Sequence, residues 1–198
     1  MAAALYRCCS HLRCAFRFTN LLFSLKLSKA FAGTMLMLIG VGLSVPTARS
    51  ENMSLTAPAG EVRLTVTGNI RKTNSEAAAL LDDAMLEALP RHTLETSTVV
   101  TDGVKRFDGF LMRDLLEFVG ADGKTVTASA LNDYTIDIPT EDFVRYDVLV
   151  ATHMDGERLQ PSDKGPFWIV YPRDEHSDLQ DIRYDYRWVW QLIQLKIK

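Results

Sequence analysis

From Val62 onward the apolar positions follow one of two spacings, and the switches between them mark the elements. Val62, Leu64 and Val66 fall between Glu61, Arg63, Thr65 and Thr67, a period of two that predicts a half-buried strand closed by Gly68-Asn69. Ala77, Leu80, Leu81, Ala84, Met85 and Ala88 then share one face of a helical period. Thr73-Asn74-Ser75-Glu76 in front of them has capping-box spacing and Pro90 follows them, so this stretch predicts a helix packed on a sheet.

His92 to Val99 predicts a strand, Asp102-Gly103 a turn and Val104 to Phe107 another strand segment. Leu111, Leu115, Leu116 and Val119 return to helical spacing and stop at Gly120, the residue best suited to end a helix. Val126, Ala128 and Ala130 alternate with hydroxyl residues, and Tyr134, Ile136 and Ile138 with Thr135 and Asp137, which predicts two more strands. Pro139 to Phe143 suits a single helical turn. Val148 to His153, Asp155-Gly156 and Glu157 to Leu159 carry the signature of a hairpin with a type I′ turn. Phe167 to Tyr171 and Trp188 to Ile197 are apolar, β-branched and aromatic enough for buried strands. The sum is an α+β domain, a strand-rich mixed sheet without the regular rhythm of a parallel doubly wound fold.

Residues 61–198 are expected to form that one domain, with 51–60, polar and containing Pro and Gly, as a flexible lead-in. Residues 1–50 differ from the rest. They hold six of the 22 Lys+Arg and none of the 25 Asp+Glu, then the apolar run Met35 to Val45, then Pro46-Thr47-Ala48-Arg49-Ser50. That order predicts a signal peptide cut near Ser50, and hence a periplasmic protein exported by a general secretion-type signal. An apolar run of this length is short for a bilayer crossing, so no membrane span is expected in the mature form. With the leader gone the chain is strongly acidic, which excludes a basic nucleic-acid footprint and disfavours an anionic membrane surface.

All three cysteines, Cys8, Cys9 and Cys14, lie in the leader segment CCSHLRC. No second ligand pair with zinc spacing follows, so this is leader and not a metal site. No disulfide is available to the mature domain.

Five segments, FDGFLMRDLLEFVG (Phe107 to Gly120), ALNDYTIDIP (Ala130 to Pro139), VLVATHMDGERL (Val148 to Leu159), KGPFWIVYP (Lys164 to Pro172) and WVWQLIQLKI (Trp188 to Ile197), resemble in order the oxidoreductase molybdopterin-binding domain of the sulfite oxidase family. The resemblance runs from about Val62 to the C-terminus and is densest after Val104. It implies a mixed α+β fold in which a molybdenum held by a pyranopterin dithiolene moves an oxygen atom to or from a substrate such as sulfite or a sulfoxide. It implies one protein ligand to the metal, a cysteine thiolate, the soft donor such a centre takes. It further implies a cofactor pocket to which Asn132, Tyr134, His153, Lys164, Gly165 and Pro166 would contribute.

The chain departs from that pattern in three places. The family cysteine would fall at or next to Ser97, within Thr96-Ser97-Thr98, and a serine hydroxyl is a hard, weakly acidic substitute for a thiolate. After Gly165-Pro166, where the family often has an arginine for the anionic cofactor, stand Phe167-Trp168, and a tryptophan neutralises no phosphate. The leader has no adjacent Arg-Arg pair of the kind that exports folded, cofactor-loaded proteins. Lys164, Arg173, Arg183 and Arg187 are basic residues nearby in sequence, each expected to be solvated.

Other candidates are weaker. His153 sits where a strand meets a turn, suited to a hydrogen-bonded structural role more than to acid–base work. Asp174-Glu175-His176-Ser177-Asp178 lacks the spacing of a calcium loop and is expected to be solvated. Asn132-Asp133-Tyr134 suits either a pocket wall or a turn, and Trp188 and Trp190, two apart, are expected on one side of a strand.

The expectation is therefore an exported domain of this fold without a bound molybdenum centre, no cofactor, and a small ligand or a periplasmic protein as partner. The alternative is a working molybdopterin-dependent oxidoreductase, with Ser97 or a solvent oxygen in place of the thiolate.

Overall fold

The computed structural model describes residues 53–198; the leader 1–50 and its CCSHLRC segment lie outside them. In chain order the elements are β1 (Met53–Ser54), β2 (Val62–Gly68), β3 (Lys72–Thr73), β4 (Ala78–Asp82), α1 (Asp83–Glu87), β5 (His92–Ser97), β6 (Val104–Leu111), α2 (Met112–Val119), β7 (Thr125–Ala130), β8 (Thr135–Pro139), α3 (Thr140–Arg145), β9 (Leu149–Met154), β10 (Glu157–Arg158), β11 (Trp168–Val170), a 3₁₀ turn (Ser177–Gln180), α4 (Ile182–Asp185) and β12 (Leu192–Ile197).

Two five-stranded sheets share one hydrophobic core. The first has the order β4-β2-β12-β7-β8, with β2 and β12 parallel and the other neighbours antiparallel. The second runs β10-β9-β6-β5, and β11 also pairs with β9, ahead of β10 along that strand. Leu64, Val66, Val126, Ala128, Leu192 and Leu195 are buried from the first sheet, and Phe107, Phe110, Val150 and Trp168 from the second. Met112, Leu115, Leu116 and Val119, the buried stripe of α2, join the same cluster. Gly120 ends α2 at φ 64°, the left-handed conformation that a residue without a Cβ adopts freely. Asp155 and Gly156 turn the β9–β10 hairpin with φ 52° and 85°, as a type I′ turn requires.

The helix expected over Ala77–Ala88 is strand in its first half. Ala78–Asp82 pairs antiparallel with β2, burying Ala79 and Leu81, and only Asp83–Glu87 is helical. The capping box does not form: Thr73 lies in β3, and the Asn74 side chain bonds both the N–H and the C=O of Leu80. Asp82 does the capping, accepting from the Met85 N–H at 3.0 Å. The same carboxylate accepts from the Ala59 and Gly60 N–H groups at 2.7 and 2.9 Å. Met53–Ser54 pairs with Lys72–Thr73, so the stretch expected as a flexible lead-in is tied down from Met53 onward.

The strand expected from Trp188 starts only at Leu192, because Gln191 takes φ 54° and breaks it. The two tryptophans consequently do not share a strand face. Trp188 is 4% exposed and Trp190 37%.

Candidate functional site

The seven residues singled out from sequence fall in different parts of the domain. Ser97 ends β5, opposite Val104. Its hydroxyl donates to Asp174 Oδ1 at 2.6 Å and its N–H donates to Asp174 Oδ2 at 2.6 Å. The Asp174 N–H in turn donates to Thr96 Oγ1 at 3.2 Å. The Ser97 hydroxyl first, then the Ser97 N–H, hold the Asp174 carboxyl below its ordinary range. An ionised carboxylate bonded to this hydroxyl opposes loss of the hydroxyl proton, which would set one anion against another.

His153 lies two strands away from β5, on β9 opposite Asp108 of β6. Its Nδ1 is 2.9 Å from Thr152 Oγ1, which also receives Arg91 Nη2 at 3.1 Å and donates to the Asp108 carbonyl at 3.1 Å. These contacts tie the ring to the β6–β9 pairing, a hydrogen-bonded structural setting for His153. His153 lines two open hollows, one with Asp83, Glu87, Arg91 and Arg158, the other with Arg91, His92, Thr93 and Asp108.

Gly165 sits where a Cβ would come 2.3 Å from the Leu159 carbonyl oxygen, so the close approach of the chain here requires glycine. It and Pro166 are buried and lead Phe167 and Trp168 into the core. Trp168, fully buried, meets Phe107 edge-on at 5.3 Å and the rings of Trp188 and Trp190 at 6.4 and 6.5 Å. Lys164 Nζ is 2.8 Å from Asp163 Oδ1 and 5.9 Å from the Trp168 ring, so its charge is already countered.

Asn132 and Tyr134 do line a cleft. They sit in the β7–β8 turn, where Asp133 takes φ 63° and Asn132 Oδ1 accepts the Tyr134 N–H at 3.1 Å. The Tyr134 hydroxyl reaches across to donate to the Tyr186 carbonyl at 2.8 Å. Desolvation, and then the neighbouring Tyr186, raise the titration of that hydroxyl. The cleft, about 220 Å³, is completed by Asp185, Tyr186, Trp188, Val189 and Trp190. Its floor is fixed from behind. Tyr171 stacks on Trp188 at 6.2 Å and donates to the buried Asp142 at 2.9 Å, and Arg187 ion-pairs with the same carboxylate. Burial, and then the Asp142 charge, push the Tyr171 hydroxyl well above its ordinary value, so it remains a donor.

Asp185, Tyr186 and Arg91 were not foreseen as site residues, and Asp174 was foreseen only as part of a solvated acidic loop. The alternating aromatics of Tyr184-Asp185-Tyr186-Arg187-Trp188 were the available signal for two of them. In the acidic loop, Asp174 is engaged by Ser97, and Asp178 by Tyr146 and Arg145. Among the described residues no group of three His, Cys, Asp or Glu side chains could hold a metal ion. Nor is any helix among them long and apolar enough to cross a membrane.

The fold has a solved counterpart. The sulfane dehydrogenase SoxCD from Paracoccus pantotrophus superposes with a TM-score of 0.52 at 18% identity, over 75% of this chain and 39% of that one. This chain thus spans well under half the length of that protein, and at this identity the likeness is one of fold. No curated protein matches the chain. The sequence profile of the oxidoreductase molybdopterin-binding domain matches residues 59–174, from the lead-in to the aspartate that holds Ser97. The chain belongs to the oxidoreductase molybdopterin-binding domain family.

Proposed function

We propose that this domain acts, after export to the periplasm, as a binding module on the molybdopterin-binding fold without a molybdenum centre. The observation that carries the reading is the Ser97–Asp174 pair. A dithiolene-bound molybdenum takes a soft, readily ionised protein donor, and the described residues include no cysteine. The hydroxyl at the expected position is bonded to a carboxylate held in its ionised form. That donor set does not fit the metal.

The rest of the expected pocket agrees. An anionic, phosphate-bearing cofactor calls for guanidinium or ammonium groups. Of the four basic residues near the expected pocket in sequence, Lys164 is countered by Asp163, Arg183 by Asp181 and Arg187 by Asp142, which leaves Arg173 alone without an ion pair among the described residues, and the cleft lined by Asn132 and Tyr134 contributes an aspartate instead. Export of the chain unfolded, which the basic leader without paired arginines supports, would also deliver it without a cofactor loaded in the cytoplasm.

The test is metal and pterin analysis of protein purified from the periplasm of a host that makes the cofactor. The expected result is molybdenum and pterin far below one per chain. Stoichiometric molybdenum, or turnover of sulfite or a sulfoxide that Ser97→Ala abolishes while the fold is retained, would overturn the proposal in favour of a working oxidoreductase.

A further inference from the structure

We infer that the cleft walled by Tyr134, Tyr186, Trp188 and Trp190 binds a small alkylated ammonium ion, with Asp185 as its counter-charge. This rests on reading the domain as a binding module and names the ligand class. Four of the seven lining residues are aromatic. The face of an aromatic ring carries negative charge density and attracts a cation, tryptophan most strongly, and several rings around one cavity are the arrangement that selects alkylammonium groups.

Charge points the same way. Asp185 is half-buried, no lysine or arginine among the described residues pairs with it, and its Oδ1 is buried without a hydrogen-bond donor. The arginines of the same segment are taken by other carboxylates: Arg183 pairs with Asp181, and Arg187 with Asp142 of α3. The cation that would otherwise serve Asp185 is thus committed elsewhere. A partly desolvated carboxylate against aromatic rings is costly by itself and favourable beside a cation. No Lys, Arg or His lines the cleft, so an anionic ligand would meet only Asp185.

Size and rigidity set the scale. A cavity of about 220 Å³ holds a ligand of a few heavy atoms, smaller than the usual cofactor site. The bond from the Tyr134 hydroxyl to the Tyr186 carbonyl joins two of the walls, and Tyr171 stacked behind Trp188 fixes a third. Two of the four rings, those of Tyr134 and Trp188, are therefore in place before the ligand arrives, which lowers the ordering cost of binding.

The experiment titrates the purified protein with choline and tetramethylammonium by calorimetry and tryptophan fluorescence. The neutral isostere 3,3-dimethylbutan-1-ol, which replaces the nitrogen by carbon, is run beside them. Saturable binding of both cations is expected, with the alcohol about tenfold weaker or worse. Asp185→Asn should weaken choline by about tenfold while the unfolding midpoint is retained. Equal binding of alcohol and choline, or no saturation by either cation to about 100 mM, overturns the inference, since affinity that weak lies outside specific recognition. The alcohol comparison uses wild-type protein and decides the matter even if Asp185→Asn fails to fold. Metal and pterin analysis of the same preparation separates the two levels: a metal-free protein that ignores choline sinks only the ligand class, whereas a molybdenum-loaded one sinks the module reading as well.

Discussion

At the Ser97 corner and at the aromatic cleft an aspartate stands beside potential donors, with opposite results. Asp174 takes both donors of Ser97 and uses them to staple the end of β5 to the segment after β11. Asp185 has no such partner and faces a cavity of aromatic rings. The first corner holds the serine that the sequence resemblance sets at or next to the family's cysteine position, and its polar groups are consumed by one another. The second has an unbalanced charge and space next to it. A satisfied polar group reports on folding, and an unsatisfied one beside a cavity reports on what the cavity receives. The difference separates the two roles more sharply than alignment to the family does, since fold and function are carried by different residues.

The strongest way to break the comparison is to remove the support behind the cleft floor. Asp142 is buried, accepts from Tyr171 and pairs with Arg187. Asp142→Ala leaves a partly buried guanidinium and a buried phenol without an acceptor, and should cost about 3 kcal/mol in urea unfolding. It should also blunt ligand binding, because Tyr171 no longer fixes Trp188. A loss below about 1 kcal/mol would mean that the cleft floor is held by packing alone.

Much of the fold was legible because its signals are local. The period-two strands, the Asp155-Gly156 turn and the Gly120 stop are each set by a few adjacent residues, and each is found. The misread segment, Ala77–Ala88, is rich in Ala and Leu and satisfies both periods. Pairing with β2 selects the strand, and Asp82 starts the helix only afterwards. The cleft was half legible. Asn132 and Tyr134 belong to one turn, but Asp185 and Tyr186 come from α4 and the residue after it, and the left-handed Gln191 that redirects Trp190 has no sequence signal. Nor did any periodicity announce that Ser97 would be bonded to a residue 77 positions on.

Next in size is Asp174→Asn. The residue is exposed, so losing the charge on its two bonds to Ser97 should cost about 1 kcal/mol or less. Its effect depends on pH. The folded carboxyl titrates below its ordinary value, so its contribution is complete above the unfolded value near 4 and is lost as pH falls through the lower folded value. Wild type and variant should therefore differ at pH 6 and converge towards pH 2 in thermal unfolding. A constant gap would assign the effect to packing. Trp190→Ala should be smaller still in stability, under about 1 kcal/mol, because the ring is 37% exposed. The same variant should lose most of the fluorescence response to choline.

The smallest change in stability, a few tenths of a kcal/mol, is expected for Ser97→Cys, and it sharpens the comparison most. A thiol is the weaker donor, so part of the staple to Asp174 is lost. The carboxylate remains, and it disfavours the thiolate as it disfavours the alkoxide, raising the thiol above its ordinary value near 8.5. With Cys8, Cys9 and Cys14 changed to Ala, that thiol is the only one in the chain, and its alkylation rate against pH reads its titration directly. The expected midpoint lies above 8.5, with molybdenum and pterin still far below one per chain in a host that makes the cofactor. A midpoint near 7, or stoichiometric molybdenum, would show that the missing sulfur alone separates this domain from a redox centre. The expected outcome places the barrier in the surrounding charge: a carboxylate fixed beside the one thiol, which would have to ionise to hold a metal.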